Sequence, residues 1–453
     1  MLGDSLKPYY RKLQQHCCPY LQFNWNYAQI GVLLLPLLPS VGASFIGIAI
    51  LITWQKHYQS LIHRPLNWGL ASLAVLLVVT TGFAARRGDA FLGLFNFLPF
   101  FILFSSFSEL IRTPFQLRRL SWLLVISSVP VVIIGLGQLF LGWVTPTNLQ
   151  PLLGWKLDLF GNPVGRMSSV FVYANILAGY LVIAFSFSLG LLLQTYQEFS
   201  LNKPKYFTLI FLLVATIGNL IALILTNSRN AWAIAIFALL GYAIYLRWRW
   251  LIAGVSAIFC SILLAAFAPS PLQELFRKIV PAFFWARLTD QLYPDRPLAL
   301  LRTTQWKFAW DLTIARPWTG WGLRNFTSLY EAKMHLWLGH PHNFFLMLTA
   351  ETGIPTTLLL CSLVGIVMVW AIILLAGDRP LPSQDKLIFF SYILTFLSIT
   401  LFNTVDVTLF DFRTNTLNWV ILSAIWGATS QGLVANRSPL TPLKKGGKIK
   451  PSN

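Results

Sequence analysis

Long apolar runs constrain this chain more than any other feature, because about 20 apolar residues in a helix span the hydrocarbon core of a bilayer. Ten such runs lie near residues 66–84, 90–110, 120–143, 168–194, 206–225, 230–246, 250–268, 343–375, 387–405 and 414–433. Only 11% of the residues are charged, whereas soluble domains carry about 25%. The sequence therefore excludes a water-soluble globule and predicts an all-α, polytopic membrane protein.

A further run, 27–54, is too long for one upright span and contains Pro36, Pro39 and Gly42. It is either one tilted helix or a tight helical pair. The positive-inside rule separates the two hypotheses, because it concentrates Lys and Arg in short cytosolic loops. With a pair, the chain has about twelve transmembrane helices and both termini in the cytosol. Nineteen basic residues are then cytosolic, and the short outer loops hold six: Arg86, Arg87, Lys156, Arg166, Arg229 and Arg413. With a single span, the nineteen basic residues would lie outside and the six would lie in the cytosol, against the positive-inside rule. We therefore predict a pair.

These spans divide the chain into five predicted segments. Residues 1–26 form a cytosolic N-terminal segment, whose polar first 20 residues predict no removable signal peptide. Residues 27–268 contain transmembrane helices 1–9, residues 269–342 form one large periplasmic loop, and residues 343–433 contain transmembrane helices 10–12. Residues 434–453 form a disordered basic tail. The net charge of +19 is explained by basic residues on the cytosolic side, so it predicts no nucleic-acid partner.

The predicted periplasmic loop, 269–342, holds nine Lys or Arg, five Asp or Glu and six Trp. A loop of this length is usually functional or folded in its own right. Within it, residues 298–315 predict an amphipathic helix on the membrane surface, from the helical spacing of Leu301, Trp306, Ala309, Trp310 and Thr313. Two interpretations of the Trp and Arg side chains stay open here. They are interfacial anchors, or they bind a ligand made of sugars and phosphate.

The junction of this loop with the next span is rich in histidine, with His335, His340 and His342 within eight residues. Pro341 suits the first position of a helix, which predicts that His342 lies in the first helical turn, near its positive end. A neutral His342 could accept a proton as a general base, or it could simply mark the interface. We predict no metal site, because His340 and His342 are two residues apart and no Cys or clustered carboxylate completes a ligand set.

Two arginines next to the predicted outer surface also stand out. Arg229 lies in a turn of a few residues between two apolar spans, and Arg166 directly precedes the span that contains Asn175. Arginine near a membrane is costly unless it has a partner or faces water. Each is either an interfacial anchor or part of an anion site. The roles of Arg86 and Arg87 stay open.

Four short motifs follow one another along the chain. They are Arg166-Met-Ser-Ser-Val-Phe with Asn175, Asn227-Ser-Arg-Asn-Ala-Trp, Arg302-x-x-x-Trp306 continuing to Pro317-Trp-x-Gly-x-Gly and Phe326, and His342-Asn343-x-x-Leu346 followed by Glu351-x-Gly353. In this order, with a large outer loop, they resemble motifs of the O-antigen ligase/polymerase superfamily of bacterial membrane glycosyltransferases. The resemblance covers roughly residues 160–360. The sequence differs from the family pattern in the first motif, where Ala174 replaces the usual proline before Asn175.

The resemblance implies a metal-independent, inverting glycosyltransferase of the O-antigen ligase type, without a cofactor, at the periplasmic face of the bacterial inner membrane. The donor is a glycan carried on a polyprenyl diphosphate, and the acceptor is a hydroxyl of lipid A–core sugar or of another glycan. By the same resemblance, His342 is the catalytic base and Arg229, Arg302 and Arg166 bind the diphosphate. The supporting residues are His340, Asn343 and Glu351.

Two alternatives remain within the same superfamily. One is polysaccharide polymerisation. The other is transport of bicarbonate, because one branch of the superfamily is described as inorganic-carbon transporters, and similarity of fold does not fix function. The sequence identifies neither the glycan nor the acceptor, and it leaves the oligomeric state open.

The charge asymmetry generates a topology prediction. Reporter fusions after Pro271 and after Arg324 should report the periplasm, and fusions after Arg118 and after Lys444 should report the cytosol. Alkaline phosphatase and green fluorescent protein reporters measure this directly. A cytosolic fusion at Arg324 would contradict both the twelve-span topology and the catalytic role of the loop.

Overall fold

The computed structural model describes residues 21–199, 206–289, 297–377 and 383–437, and the secondary structure there is entirely helical. Most of the two predicted cytosolic ends therefore lies outside the described residues. We number the α-helices in chain order as α1 Gln22–Leu34, α2 Pro39–Ile62, α3 Pro65–Gly82, α4 Arg87–Leu94, α5 Leu98–Leu110, α6 Pro114–Leu141, α7 Gln150–Leu153, α8 Ala174–Phe199, α9 Tyr206–Leu225, α10 Arg229–Tyr245, α11 Arg249–Phe267, α12 Leu272–Ile279, α13 Ala282–Leu288, α14 Arg302–Ala315, α15 Asn325–Met334, α16 Phe344–Ala376, α17 Ser383–Phe402 and α18 Phe412–Arg437.

Every predicted span falls on one or two of these helices. Eight helical segments in the described part of the chain are long and apolar enough to cross a membrane, and α10 is a shorter apolar helix of 17 residues. The class of a polytopic, all-α membrane protein is confirmed, whereas the count of twelve spans stays a prediction. The last helix continues to Arg437, so the first four residues of the predicted tail are helical.

The ambiguous run 27–54 is divided between two helices, α1 and α2, and the crossing of the membrane by both stays a prediction. Proline supplies the reason, because it cannot continue a helix but suits its first position, which Pro39 occupies in α2. The two helices pack closely. A Cβ atom added to Gly31 would lie 2.6 Å from the Ile46 side chain, so glycine permits the contact.

Helix α8 forms the centre of the bundle, with 89% of its most apolar stretch buried, and it packs against α6, α9, α10 and α17. Helix α11 lies at the periphery, because only 11% of its apolar stretch is buried. An apolar helix with so little of its surface buried faces lipid rather than protein.

The large loop, described over residues 269–289 and 297–342, is fixed through residues 317–322 to a kink in α16. Gly353 interrupts the helical dihedrals there with φ 81° and ψ 167°. Around the kink, the N–H groups of Trp321, Gly322 and Ile354 donate to the carbonyls of Ala350, Glu351 and Pro317, over 2.9, 2.8 and 2.7 Å. The loop is therefore held on the bundle by backbone hydrogen bonds.

The helix predicted over 298–315 begins only at Arg302, after a short 3₁₀ turn at Leu298–Leu300. Its buried side chains are those of Gln305, Phe308, Ala309 and Thr313, and the helix packs against α16. Ala309 and Thr313 belong to the predicted stripe and are buried, whereas Trp310 of the same stripe is exposed. The helix begins four residues later than predicted, and its position on the membrane surface stays a prediction.

The large loop forms hydrogen bonds with the turn between α3 and α4. The Ala85 N–H donates to the Trp321 carbonyl over 2.8 Å. The Asn325 side chain accepts a hydrogen bond from the Arg86 N–H over 2.6 Å and donates to the Arg86 carbonyl over 3.2 Å. These bonds hold the start of α4 beside the start of α15.

The kink at Gly353 generates a stability prediction. In Gly353→Ala, a Cβ atom would lie 2.4 Å from the Trp318 carbonyl oxygen, and alanine disfavours the left-handed backbone. We expect destabilisation of about 1–3 kcal/mol, typical of such strain, seen as a lower unfolding temperature of the purified protein in detergent. Gly365→Ala on the same helix is the control, because no atom lies within 4 Å of its added Cβ. Equal melting of the two variants would contradict the account.

Candidate active site

A cavity of about 660 Å³ lies where the large loop meets the helix bundle. Its walls come from the α3–α4 turn, the start of α8, helix α15, the segment 337–342, and the connection between α17 and α18. Of the predicted site residues, His340 and His342 line it directly.

The side chain at the centre of the polar contacts is Asp406, which is 4% exposed and lies between α17 and α18. One carboxylate oxygen lies 3.2 Å from Nδ1 of His342 and accepts the Val407 N–H over 2.9 Å. The other oxygen accepts from the Asn175 amide over 2.8 Å, and Asn175 in turn accepts from the Arg166 guanidinium over 2.5 Å. Asp406 therefore joins the first and fourth sequence motifs.

His342 lies before α16 and not in its first turn, so that prediction was wrong. The helix begins at Phe344, and the Asn343 side chain caps it by accepting the Leu346 N–H over 3.0 Å. His342 has a left-handed backbone, with φ 53°. The Phe344 N–H donates to the Asn403 carbonyl over 2.9 Å. Asn343 thus fixes the start of α16 and satisfies one of the N–H groups of its first turn.

The ionisation of Asp406 decides the tautomer of His342. Burial acts to raise the pKa of Asp406, but the hydrogen bond from His342, the charges of the two imidazoles and the Val407 N–H together lower it. The carboxylate is therefore ionised at neutral pH and only accepts hydrogen bonds. We assign the proton of a neutral His342 to Nδ1 on this basis, which leaves the lone pair of Nε2 unused by Asp406.

His340 supports His342 as a neutral side chain. Its Nδ1 accepts the backbone N–H of His342 over 3.2 Å, and its Nε2 lies 3.9 Å from Asp406. Burial lowers the pKa of His340 to about 4. The charge of Asp406 acts to raise this pKa, and the charges of His342 and Arg302 act to lower it. About a fifth of the side chain still faces the cavity.

The three arginines are placed differently. Arg166 belongs to the polar cluster, and its Nε also donates to the Thr226 carbonyl over 2.8 Å. Thr226 begins the turn that leads to Arg229, the exposed first residue of α10. Arg302 is the exposed first residue of α14, and its charge acts on His340. None of the three arginines lines the cavity as the described residues define it, and Arg166 reaches it only through its bond to Asn175, which does.

Glu351 lies apart from the histidines. It is 2% exposed and its carboxylate accepts the Phe326 N–H over 3.3 Å, at the start of α15. An acceptor at a helix N-terminus stabilises the helix. Glu351 therefore helps to hold α15 against α16.

No sequence motif predicted a role for Asp406. Its partner His342 is 64 residues away, so no local spacing connects them. The available signal was an acidic residue in an otherwise apolar region, because a charge near a membrane is costly unless it is functional or paired. Asp406 also changes the argument about metals. Ligand atoms of His340, His342 and Asp406 lie within 4.8 Å of one another and could hold a metal ion.

The fold and the cavity define a polytopic membrane protein with a histidine–carboxylate pair where several helix ends meet. Residues 211–361 match the family model described as O-antigen ligase. This match confirms the resemblance found in the sequence motifs and supports membership of the chain in the O-antigen ligase superfamily. Arg229, Arg302 and His342 lie inside the matched segment, whereas Arg166 and Asp406 lie outside it. A search of curated proteins finds no match to this chain.

The environment of His340 generates a prediction about pH. With its pKa near 4, His340 should remain neutral as the pH falls from 8 to 5 and should gain a proton only near pH 4. Histidine-selective ¹⁵N NMR of the protein in detergent measures this, and a His340→Asn variant assigns the signal. Titration of that signal near 6.5, the ordinary value, would show that the imidazole is solvated and not held by the contacts described.

Proposed function

We propose that this protein transfers a glycan from a polyprenyl diphosphate carrier to a sugar hydroxyl. The observation that carries the proposal is the His342–Asp406 pair, 3.2 Å apart beside a cavity of about 660 Å³. The match to the O-antigen ligase family supports a ligase- or polymerase-like reaction in a membrane. We place the reaction at the periplasmic face of the bacterial inner membrane, with both termini in the cytosol and lipid A–core as the first candidate acceptor.

In the proposed mechanism, Nε2 of His342 takes the proton of the acceptor hydroxyl as its oxygen attacks the anomeric carbon of the donor glycan. The bond between that carbon and the diphosphate oxygen breaks, and polyprenyl diphosphate leaves with the electron pair. Attack opposite the leaving group inverts the anomeric centre. Asp406 keeps the imidazole in the required tautomer and stabilises the imidazolium that forms, as a carboxylate does in a catalytic triad. His342 is thus the catalytic residue and Asp406 a positioning residue.

The proposed diphosphate ligands are Arg166, Arg229 and Arg302. A guanidinium binds phosphate oxygens through two parallel hydrogen bonds, and it stabilises the negative charge that develops on the leaving group. Arg166 is already oriented toward the cluster by Asn175 and Thr226. Arg229 and Arg302 are the exposed first residues of α10 and α14, and the charge of Arg302 acts on His340 of the cavity.

Glycan transfer is supported better than bicarbonate transport. A carrier of this kind needs an anion site near the middle of the bilayer, usually at broken helices. Here the histidines and Asp406 lie at helix ends and connections, and Glu351, which faces the kink of α16, accepts a backbone hydrogen bond. Polymerisation uses the same donor chemistry and differs in the acceptor.

The proposal predicts that His342→Gln lowers glycan transfer by about 10²–10⁴-fold, because an amide can form a hydrogen bond but cannot take up a proton. The assay uses purified protein and a polyprenyl-diphosphate-linked glycan. His335→Gln is the matched control, because His335 has the same left-handed backbone, with φ 54° against 53°, and an exposed side chain.

Two further measurements separate the alternatives at this site. Asp406→Asn should also lower transfer and move its pH dependence, whereas a merely structural role would change protein yield and leave the pH profile alone. Treatment with EDTA should leave transfer unchanged. Full activity of His342→Gln would exclude His342 as the general base. Loss of activity in EDTA, with recovery on adding zinc, would instead show that His340, His342 and Asp406 hold a catalytic metal ion.

A further inference from the structure

One wall of the cavity carries side chains that the proposed mechanism does not use. Helix α15 contributes Thr327, Ser328 and Glu331, preceded by Arg324, and the α3–α4 region contributes Asp89. Residues 324, 327, 328 and 331 follow the spacing of one helical face. The other face of α15 carries Phe326 and Tyr330, which pack in a small apolar core with Phe308.

This polar wall continues into the segment that carries the catalytic histidine. The Thr327 hydroxyl donates to the Gly339 carbonyl over 2.9 Å, one residue before His340. At its other end, the bonds between Asn325 and Arg86 hold α15 against the start of α4. Hydrogen bonds therefore fix the wall at both ends.

The charges on the wall balance. Arg86 and Arg324 carry two positive charges, and Asp89 and Glu331 carry two negative ones, with Arg86 and Asp89 3.9 Å apart. A wall without net charge offers no net attraction to a diphosphate. A neutral ligand rich in hydroxyl groups is favoured instead, because it donates to carboxylates and accepts from guanidinium groups.

An exposed tryptophan completes the wall. Trp337 lines the cavity, yet 68% of its surface is exposed, and its ring lies beside Gly339. A flat aromatic ring open to a water-filled cavity is a stacking surface for the C–H face of a sugar. Carboxylates, hydroxyls and an open indole ring in one wall form the combination that binds carbohydrate.

We infer that the wall formed by Asp89, Arg324, Glu331 and Trp337 is the subsite for the acceptor glycan. The inference rests on the proposed transferase function and adds a place for the second substrate. The donor diphosphate binds on the side of Arg166, and the acceptor sugar stacks on Trp337 with its hydroxyl groups toward Asp89 and Glu331. The continuity from Thr327 through Gly339 to His342 brings an acceptor hydroxyl to the base.

The test measures transfer kinetics with two acceptors offered separately, lipid A–core and a second molecule of the lipid-linked glycan. For the active acceptor, Trp337→Ala should raise the KM of the acceptor about tenfold or more, the loss expected from one stacking contact. Its kcat and the KM of the donor should stay near the wild-type values. Trp337→Phe keeps an aromatic ring and should restore most of the affinity. Trp318→Ala is the control, because Trp318 is 77% exposed on the same loop but lines another cavity.

Glu331→Gln tests the polar half of the subsite. It should raise the acceptor KM about tenfold, because a charge-assisted hydrogen bond to a hydroxyl is weakened. Glu274→Gln, on α12 and away from this cavity, should change nothing. Unchanged acceptor KM in both Trp337→Ala and Glu331→Gln, or a rise confined to the donor KM, would overturn the subsite while the transferase function stands. A wild-type protein inactive with both acceptors would instead contradict the function, and the subsite with it.

Discussion

The buried carboxylate of Asp406 is the interaction on which the candidate site depends. A charge in so apolar a protein is tolerated only when hydrogen bonds or opposite charges compensate its loss of water. Here the compensation comes from three places in the chain, His342 before α16, Asn175 in α8 and the adjacent Val407 N–H. The hydrogen bonds to the Asp406 carboxylate therefore bring distant segments of the chain together. They also fix Nδ1 of His342 as a hydrogen-bond donor.

Backbone hydrogen bonds at the kink of α16 hold residues 317–322 of the large loop on the bundle. The kink at Gly353 exposes the carbonyls of Ala350 and Glu351, and the segment 317–322 fills the space. That docking carries α15 and the α3–α4 turn into place as one wall of the cavity. The protein thus presents two different surfaces to one cavity. One is a histidine–carboxylate cluster tied to Arg166, and the other is a charge-balanced wall with an open tryptophan. This separation suits a reaction between a diphosphate-linked donor and the hydroxyl group of an acceptor sugar.

Local patterns in the sequence predicted much of the helical framework and some of the site. Apolar runs located the spans because the bilayer fixes helix length, and Pro36 and Pro39 marked the division of the first run. The motif around His342 was visible because its residues are neighbours in the chain. Asp406 was not, since its pairing with His342 arises only when α17 packs beside α16. The helix start was misplaced for a local reason, because Asn343 caps the helix two residues beyond Pro341.

The central claim is that the cavity performs glycan transfer, and the wild-type protein in liposomes tests it most directly. The same vesicles are given a polyprenyl-diphosphate-linked glycan with lipid A–core on the face that carries the large loop, and are assayed separately for uptake of labelled bicarbonate. The account predicts a covalent glycan–acceptor product, release of polyprenyl diphosphate in equal amount, and bicarbonate uptake no faster than in empty vesicles. Bicarbonate uptake that depends on the protein, without any glycan product, would contradict it.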